Sequence, residues 1–170
     1  TFVVTRDDGN DTYVGGAGID TINTTASDAA MNVNLHGGIV SSSETGTDSI
    51  ATVENVVTGR GADVIALNAL ANTVNAGDGN DTVTVRSDIL RDVIAGGEGT
   101  DTIDYRFYTT ALTIDLSVAT SVVVGSGSTE ASSDTITGFE NATSGSGADT
   151  LRGSAAANTL IAGAGNDTVT

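Results

Sequence analysis

The residues best placed to do chemistry are aspartates set at a fixed interval. Asp63, Asn72 and Asp81 stand nine residues apart, and Asp92 and Asp101 are again nine apart after a two-residue slip. A Gly-x-Gly-x turn precedes three of them: Gly59-x-Gly61, Gly77-x-Gly79 and Gly97-x-Gly99. A strand-like triplet follows each of the five, centred on Ile65, Val74, Val83, Ile94 or Ile103. Carboxylates and turn carbonyls are hard oxygen donors, the ligands that calcium takes six to eight at a time. One turn cannot supply that many, but two turns stacked side by side can. Stacked carboxylates repel one another unless a cation lies between them.

The interval also dictates the elements that must hold these residues. A six-residue turn and a three-residue strand make half a coil, so two units make a full coil. Glycine lets the turn fold tightly. Side chains alternate along a strand, so the central apolar residue points inward and its neighbours outward. Turns two units apart then share an edge, which puts Asp63 on Asp81 and Asp81 on Asp101.

The motif behind this spacing is the established nonapeptide GGxGxDxUx. Gly15-Gly16-Ala17-Gly18-Ile19-Asp20-Thr21-Ile22-Asn23 matches it at every fixed position, and Gly163-x-Gly165-Asn166-Asp167-Thr168-Val169 repeats it. The chain therefore resembles the RTX, or haemolysin-type, calcium-binding family, most strongly over 59–104 and 145–170 and well over 6–23. The resemblance implies an all-β fold, a parallel β-roll or β-solenoid with calcium between its turns. It also implies ligand sets. The first is the carbonyls of Gly59 and Gly61 and the Asp63 carboxylate, with the carbonyls of Ala76 and Asp78 and the Asp81 carboxylate. The second is Gly77, Gly79 and Asp81 with Gly96, Glu98 and Asp101. The third is Gly145, Gly147 and Asp149 with Ala162, Ala164 and Asp167. Gly16, Gly18 and Asp20 start a fourth, whose partner turn the spacing does not place.

Composition narrows the function classes. The 170 residues carry 22 acidic groups against six basic ones, all arginine, for a net charge of −16. That disfavours nucleic acid and anionic membranes as partners. The acids are spread over turn positions rather than gathered in a tail. No cysteine is present, which excludes disulfides and thiolate metal sites. No apolar run reaches membrane-spanning length. His36 is the only histidine, and with Gly37-Gly38 behind it belongs in a turn, so neither a histidine zinc site nor a Ser-His-Asp triad is expected. The aromatic cluster Tyr105-Arg106-Phe107-Tyr108 reads as a cap on the apolar core, with a glycan or protein contact as its alternative. No catalytic residue is assigned. The threonines that follow the turn aspartates face outward, but Val64 and Val93 interrupt them, against an ice-binding ladder.

The chain reads as one elongated roll of two tandem copies, 1–81 and 82–167, with a third beginning at 168–170. At an offset of 81, Asp11 meets Asp92 and Asp20 meets Asp101; from Asp48 the offset is 86, so Asp63 meets Asp149 and Asp81 meets Asp167. Both ends cut through a repeat, which predicts a piece of a longer array whose neighbouring repeats are its partners. Segments 24–47 and 105–133 break the register. Each holds an alternating stretch, Met31–Leu35 or Leu112–Leu116, and then a Gly/Ser-rich segment, expected to form a longer coil with a protruding loop or hairpin. Glu54 and Glu140 stand at aspartate positions in turns without glycine and read as cap or ladder residues, with calcium ligation as the alternative. Asn72 and Asn158 replace aspartate after Ala-rich turns, so one edge of the roll is expected to bind calcium and the other to be closed by asparagine hydrogen bonds.

The resemblance implies a calcium-dependent structural module of a large secreted bacterial protein, exported unfolded by a type I system and folding in extracellular calcium. The alternatives are an accessory module of a secreted protease, lipase or alginate epimerase, and an adhesive or surface-layer segment that contacts a glycan or cell surface.

Overall fold

The computed structural model describes residues 1–125 and 133–170. Part of the second Gly/Ser-rich segment and Glu130 lie outside that range. Strands and turns make up all the described residues, without a helix. The strands form two faces. One carries Phe2–Val3, Thr21–Asn23, Asn55–Val57, Thr73–Asn75, Val93–Ala95 and Thr135–Thr137 in parallel succession. The other carries Asn32–Asn34, Val64–Ala66, Thr82–Thr84, Thr102–Asp104 and Asn141–Thr143, also parallel. Outside the two excursions the chain crosses between faces at each turn, as an all-β roll of nonapeptide half-coils requires.

Register is kept from coil to coil. Ile22, Val56, Val74, Ile94 and Ile136 pair in line on one face, and Val33, Ile65, Val83, Ile103 and Ala142 on the other. All ten are buried. Each large one contributes about 1.5–3 kcal/mol by leaving water. A one-residue slip would turn the whole ladder outward, so the aspartates are held at the same height in every coil. Tyr105 and Tyr108 are buried edge to face, ring centroids 5.2 Å apart, and extend the core beside the second excursion.

The described parts of the two excursions are inserted into the sheets as antiparallel strands. Ile39–Ser42 lies antiparallel between Gly46–Ala51 and Asn32–Asn34. Thr120–Val122 lies antiparallel to Thr135–Thr137, and Val124–Gly125, one residue on, lies antiparallel to Leu112–Thr113. Val123 joins these two pairings and is fully buried. Leu112–Asp115 then pairs with Thr150–Arg152, and Thr150–Arg152 with Thr168–Val169, in a separate four-stranded sheet that adjoins the first face through Val123. Each insertion adds strands whose inward residues, Val33 and Val40 or Ile114 and Val123, complete the core.

Counterparts in the two copies stand on opposite faces. Thr12–Val14 belongs to the nine-stranded sheet, but Val93–Ala95, 81 residues on, belongs to the seven-stranded one. Val64–Ala66 likewise belongs to the nine-stranded sheet, but Thr150–Arg152, 86 residues on, belongs to a four-stranded sheet. An odd number of half-coils separates each pair, so the glycine turns change edge along the chain.

Candidate metal centre

The glycine turns stack in register along the edges. Turns 59–63, 77–81 and 96–101 follow one another on the first edge, and turns 145–149 and 163–167 on the second. The expectation of one calcium edge and one asparagine edge is therefore corrected: motif turns occupy both, in separate runs. Asn72 lies on the second edge and Asn158 on the first. Each closes its edge by donating from Nδ2 to the carbonyl of the glutamate one coil earlier, Asn72 to Glu54 at 2.7 Å and Asn158 to Glu140 at 2.6 Å.

Each turn aspartate accepts a hydrogen bond from the coil before it. The Asp63 N–H donates to Asp81 Oδ1 at 2.7 Å, the Asp81 N–H to Asp101 Oδ1 at 2.8 Å and the Asp149 N–H to Asp167 Oδ1 at 2.9 Å. Glu140 ends the first run by taking the Asp101 N–H at 2.9 Å. Asp63 Oδ1 in turn accepts the Met31 N–H at 2.7 Å, and Asp149 Oδ1 the Leu112 N–H at 2.8 Å. One oxygen of each carboxylate is thus committed to the ladder. The other is not: Oδ2 of Asp63, Asp81, Asp101 and Asp149 is buried without a protein hydrogen-bond partner.

Such oxygens are costly, since an unpaired buried polar group forfeits about 1–3 kcal/mol of hydration and a charge more. Burial raises the Asp63 and Asp101 carboxyls above the ordinary range. Asp81 is pushed up to about 7, by burial first and then by the carboxylates of Asp63, Asp101 and Asp78. A divalent cation at these oxygens removes both penalties.

Turn carbonyls face the same space. A Cβ on Gly77 would fall 2.1 Å from the Gly59 carbonyl oxygen, and one on Gly79 would fall 2.1 Å from that of Gly61. On Gly97 and Gly99 it would meet the Gly77 and Gly79 oxygens at 1.8 and 1.7 Å. Gly163 and Gly165 repeat this against Gly145 and Gly147, at 1.9 and 1.8 Å. Glycine is required here because no side chain fits between one turn's carbonyls and the next turn. Asp78 and Glu98 pair through their backbones, and both residues are exposed. Among the described residues no three carboxylate or imidazole groups could hold an ion by side chains alone. Carbonyl oxygens must complete any shell, as in the ligand sets expected for Asp63 with Asp81, Asp81 with Asp101 and Asp149 with Asp167.

Two site features were not anticipated. Thr58 donates its hydroxyl to the Ala76 carbonyl at 2.6 Å, and Ser144 donates to that of Ala162 at 2.9 Å. Both hydroxyls are buried and stand just ahead of the first turn glycine, a shared position visible at the offset of 86. They take one of the two lone pairs of carbonyls assigned to ligand sets. The fourth turn also has its partner: the Asp20 N–H donates to Glu54 Oε2 at 2.8 Å and the Gly16 N–H to Thr52 Oγ1 at 2.7 Å. That partner has no glycine, so Gly16, Gly18 and Asp20 face a turn unlike the others.

A family model described as the RTX calcium-binding nonapeptide repeat matches the chain in four copies, at residues 6–28, 53–83, 91–106 and 143–170. A comparison with curated proteins returned no match.

Proposed function

The chain belongs to the family of RTX calcium-binding nonapeptide repeats, and on that basis we propose that it is a structural module whose folding is driven by calcium outside the cell. The repeat is a calcium-binding structural element, not a catalytic one. The observation that carries the reading is the column of buried Oδ2 atoms on Asp63, Asp81 and Asp101, which have no protein partner. A cation there is held by Asp63 and Asp81 with the Gly59 and Gly61 carbonyls, and by Asp81 and Asp101 with those of Gly77 and Gly79. On the second edge Asp149 and Asp167 do the same with Gly145 and Gly147.

Because these oxygens come together only in the stacked roll, binding free energy becomes folding free energy. Without the cation, a net charge of −16 and 22 glycines favour the open chain. That suits a segment exported unfolded from a low-calcium cytoplasm and folded outside, as in a secreted bacterial protein. The module itself has no catalytic role. Hydrodynamic radius separates the alternatives: it should fall from that of an expanded chain in chelator to that of a compact roll in millimolar calcium. A compact chain in chelator contradicts the reading.

A further inference from the structure

The fold divides the cluster Tyr105-Arg106-Phe107-Tyr108. Tyr105 and Tyr108 are buried in the core, whereas the Arg106 side chain is 61% exposed and Phe107 46%. The two outward residues meet Arg86, which follows the strand Thr82–Thr84. The Arg86 guanidinium lies over the Phe107 ring, 4.9 Å from its centroid. With Asn34, Thr82 and Thr84, these three side chains line a groove of about 330 Å³ on the outward side of the second face. Val64 and Ala66, on the strand between those of Asn34 and Thr82, complete its wall.

The groove is set apart by charge. No carboxylate lines it, although the chain carries 22 acidic residues against six arginines. Arg6, Arg60 and Arg152 all lie beside aspartates, but Arg86 has no carboxylate partner among the described residues. Arg106 is anchored from behind: its Nε donates to Oδ2 of the fully buried Asp104 at 2.6 Å, and its N–H to Oδ1 at 3.0 Å. The Tyr108 hydroxyl donates to the Arg86 carbonyl at 3.0 Å and ties the two arms of the groove together. A guanidinium without a carboxylate of its own takes an oxyanion through its paired N–H donors.

The rest of the lining selects among anions. Asn34, Thr82 and Thr84 offer amide and hydroxyl groups that match sugar hydroxyls, and Phe107 offers exposed ring surface to the C–H side of a sugar. An acidic peptide has no sheet edge to join here, because the strands of Asn34, Val64 and Thr82 are each paired on both sides. We infer that this groove binds an anionic saccharide, with its carboxylate or sulfate on Arg86 beside Arg106, its ring against Phe107 and its hydroxyls on Asn34, Thr82 and Thr84. No residue of the groove belongs to a glycine turn, so the site needs the folded roll but takes no ligand from the calcium turns.

NMR titration of the full chain in millimolar calcium tests this with four probes. Trigalacturonate carries carboxylates, sulfated galactobiose carries sulfate, maltotriose is the neutral sugar and tetraglutamate is the acidic peptide. At least one of the acidic sugars should shift the amides of Thr82, Thr84 and Phe107 and bind about tenfold more tightly than maltotriose or tetraglutamate. Arg86→Gln keeps most of the side-chain stem, and Val64→Glu sets a carboxylate on the exposed wall. Each should weaken that binding about tenfold while the far-UV spectrum stays that of the parent. Binding of neither acidic sugar, equal binding of maltotriose or tetraglutamate, or affinity unchanged in both variants would overturn the site. Each of those results leaves the calcium reading of the turns standing, because the calcium response of the parent is measured without sugar.

Discussion

The backbone N–H of Asp63 donates to Asp81 Oδ1, 2.7 Å away, while Oδ2 of the same Asp81 carboxylate is buried with no protein partner. The ladder thus uses one oxygen of each aspartate to set the spacing of the coils and leaves the other without a protein partner. Asp81 also borders the turns on both sides, donating its own N–H to Asp101.

Removing the Asp81 carboxylate should therefore affect two ions at once. Asp81→Ala should lower calcium stoichiometry by up to two and move the folding midpoint to higher calcium. Asp167→Ala, on the other edge with a single motif neighbour, should remove one. Asn72→Ala should remove none and cost about 1 kcal/mol, the worth of a hydrogen bond. Calorimetry of the three variants checks this, and loss of an ion from Asn72→Ala would show the edges to be misassigned.

Glycine positions should divide by what lies above them. Gly99→Ala brings a Cβ within 1.7 Å of the Gly79 carbonyl oxygen, at a φ of 149°. It should push apart turns 77–81 and 97–101 and abolish the ion between them. Gly18→Ala meets nothing within 4 Å and bears only the backbone strain of its φ of 114°, about 1–3 kcal/mol. Equal calcium stoichiometry in the two variants would contradict the close-stacked turns.

Asp92 should make the folded roll less stable in mild base than in mild acid. Asp92 is pushed up to about 8, by burial first and then by the carboxylates of Asp134 and Asp88. A raised carboxyl holds its proton in the fold but releases it in the open chain, so its contribution is full below about pH 4 and is lost as pH rises through about 8. In saturating calcium, Asp92→Asn should raise the urea midpoint over that of the parent by more at about pH 9 than at about pH 6. An equal difference at the two pH values would count against it.

The parts of the site that were legible in the sequence are those whose chemistry is local. The glycines at 59, 61, 77 and 79 and the apolar centres Ile65, Val83 and Ile103 repeat within a few residues, and the structure stacks them as the period requires. The edge assignment was not legible beyond each unbroken run. Counterparts such as Val64–Ala66 and Thr150–Arg152 fall in different sheets because the register breaks set the number of half-coils between them. The first excursion, read as a longer coil with a loop or hairpin, forms antiparallel strands that bury Val40 fully, a pairing its Gly/Ser composition does not announce. The Asp11 N–H reaches Asp48 Oδ1 only through tertiary structure, since the hairpin between them has no period to count along.

The most direct measurement of the central claim is far-UV circular dichroism of the chelator-treated chain as calcium is added, with magnesium as the comparison. Calcium should convert a mainly disordered spectrum into a β spectrum, while magnesium, which demands a smaller octahedral shell, should do so poorly. A full β spectrum in chelator that calcium leaves unchanged would contradict the claim that these turns fold around the ion.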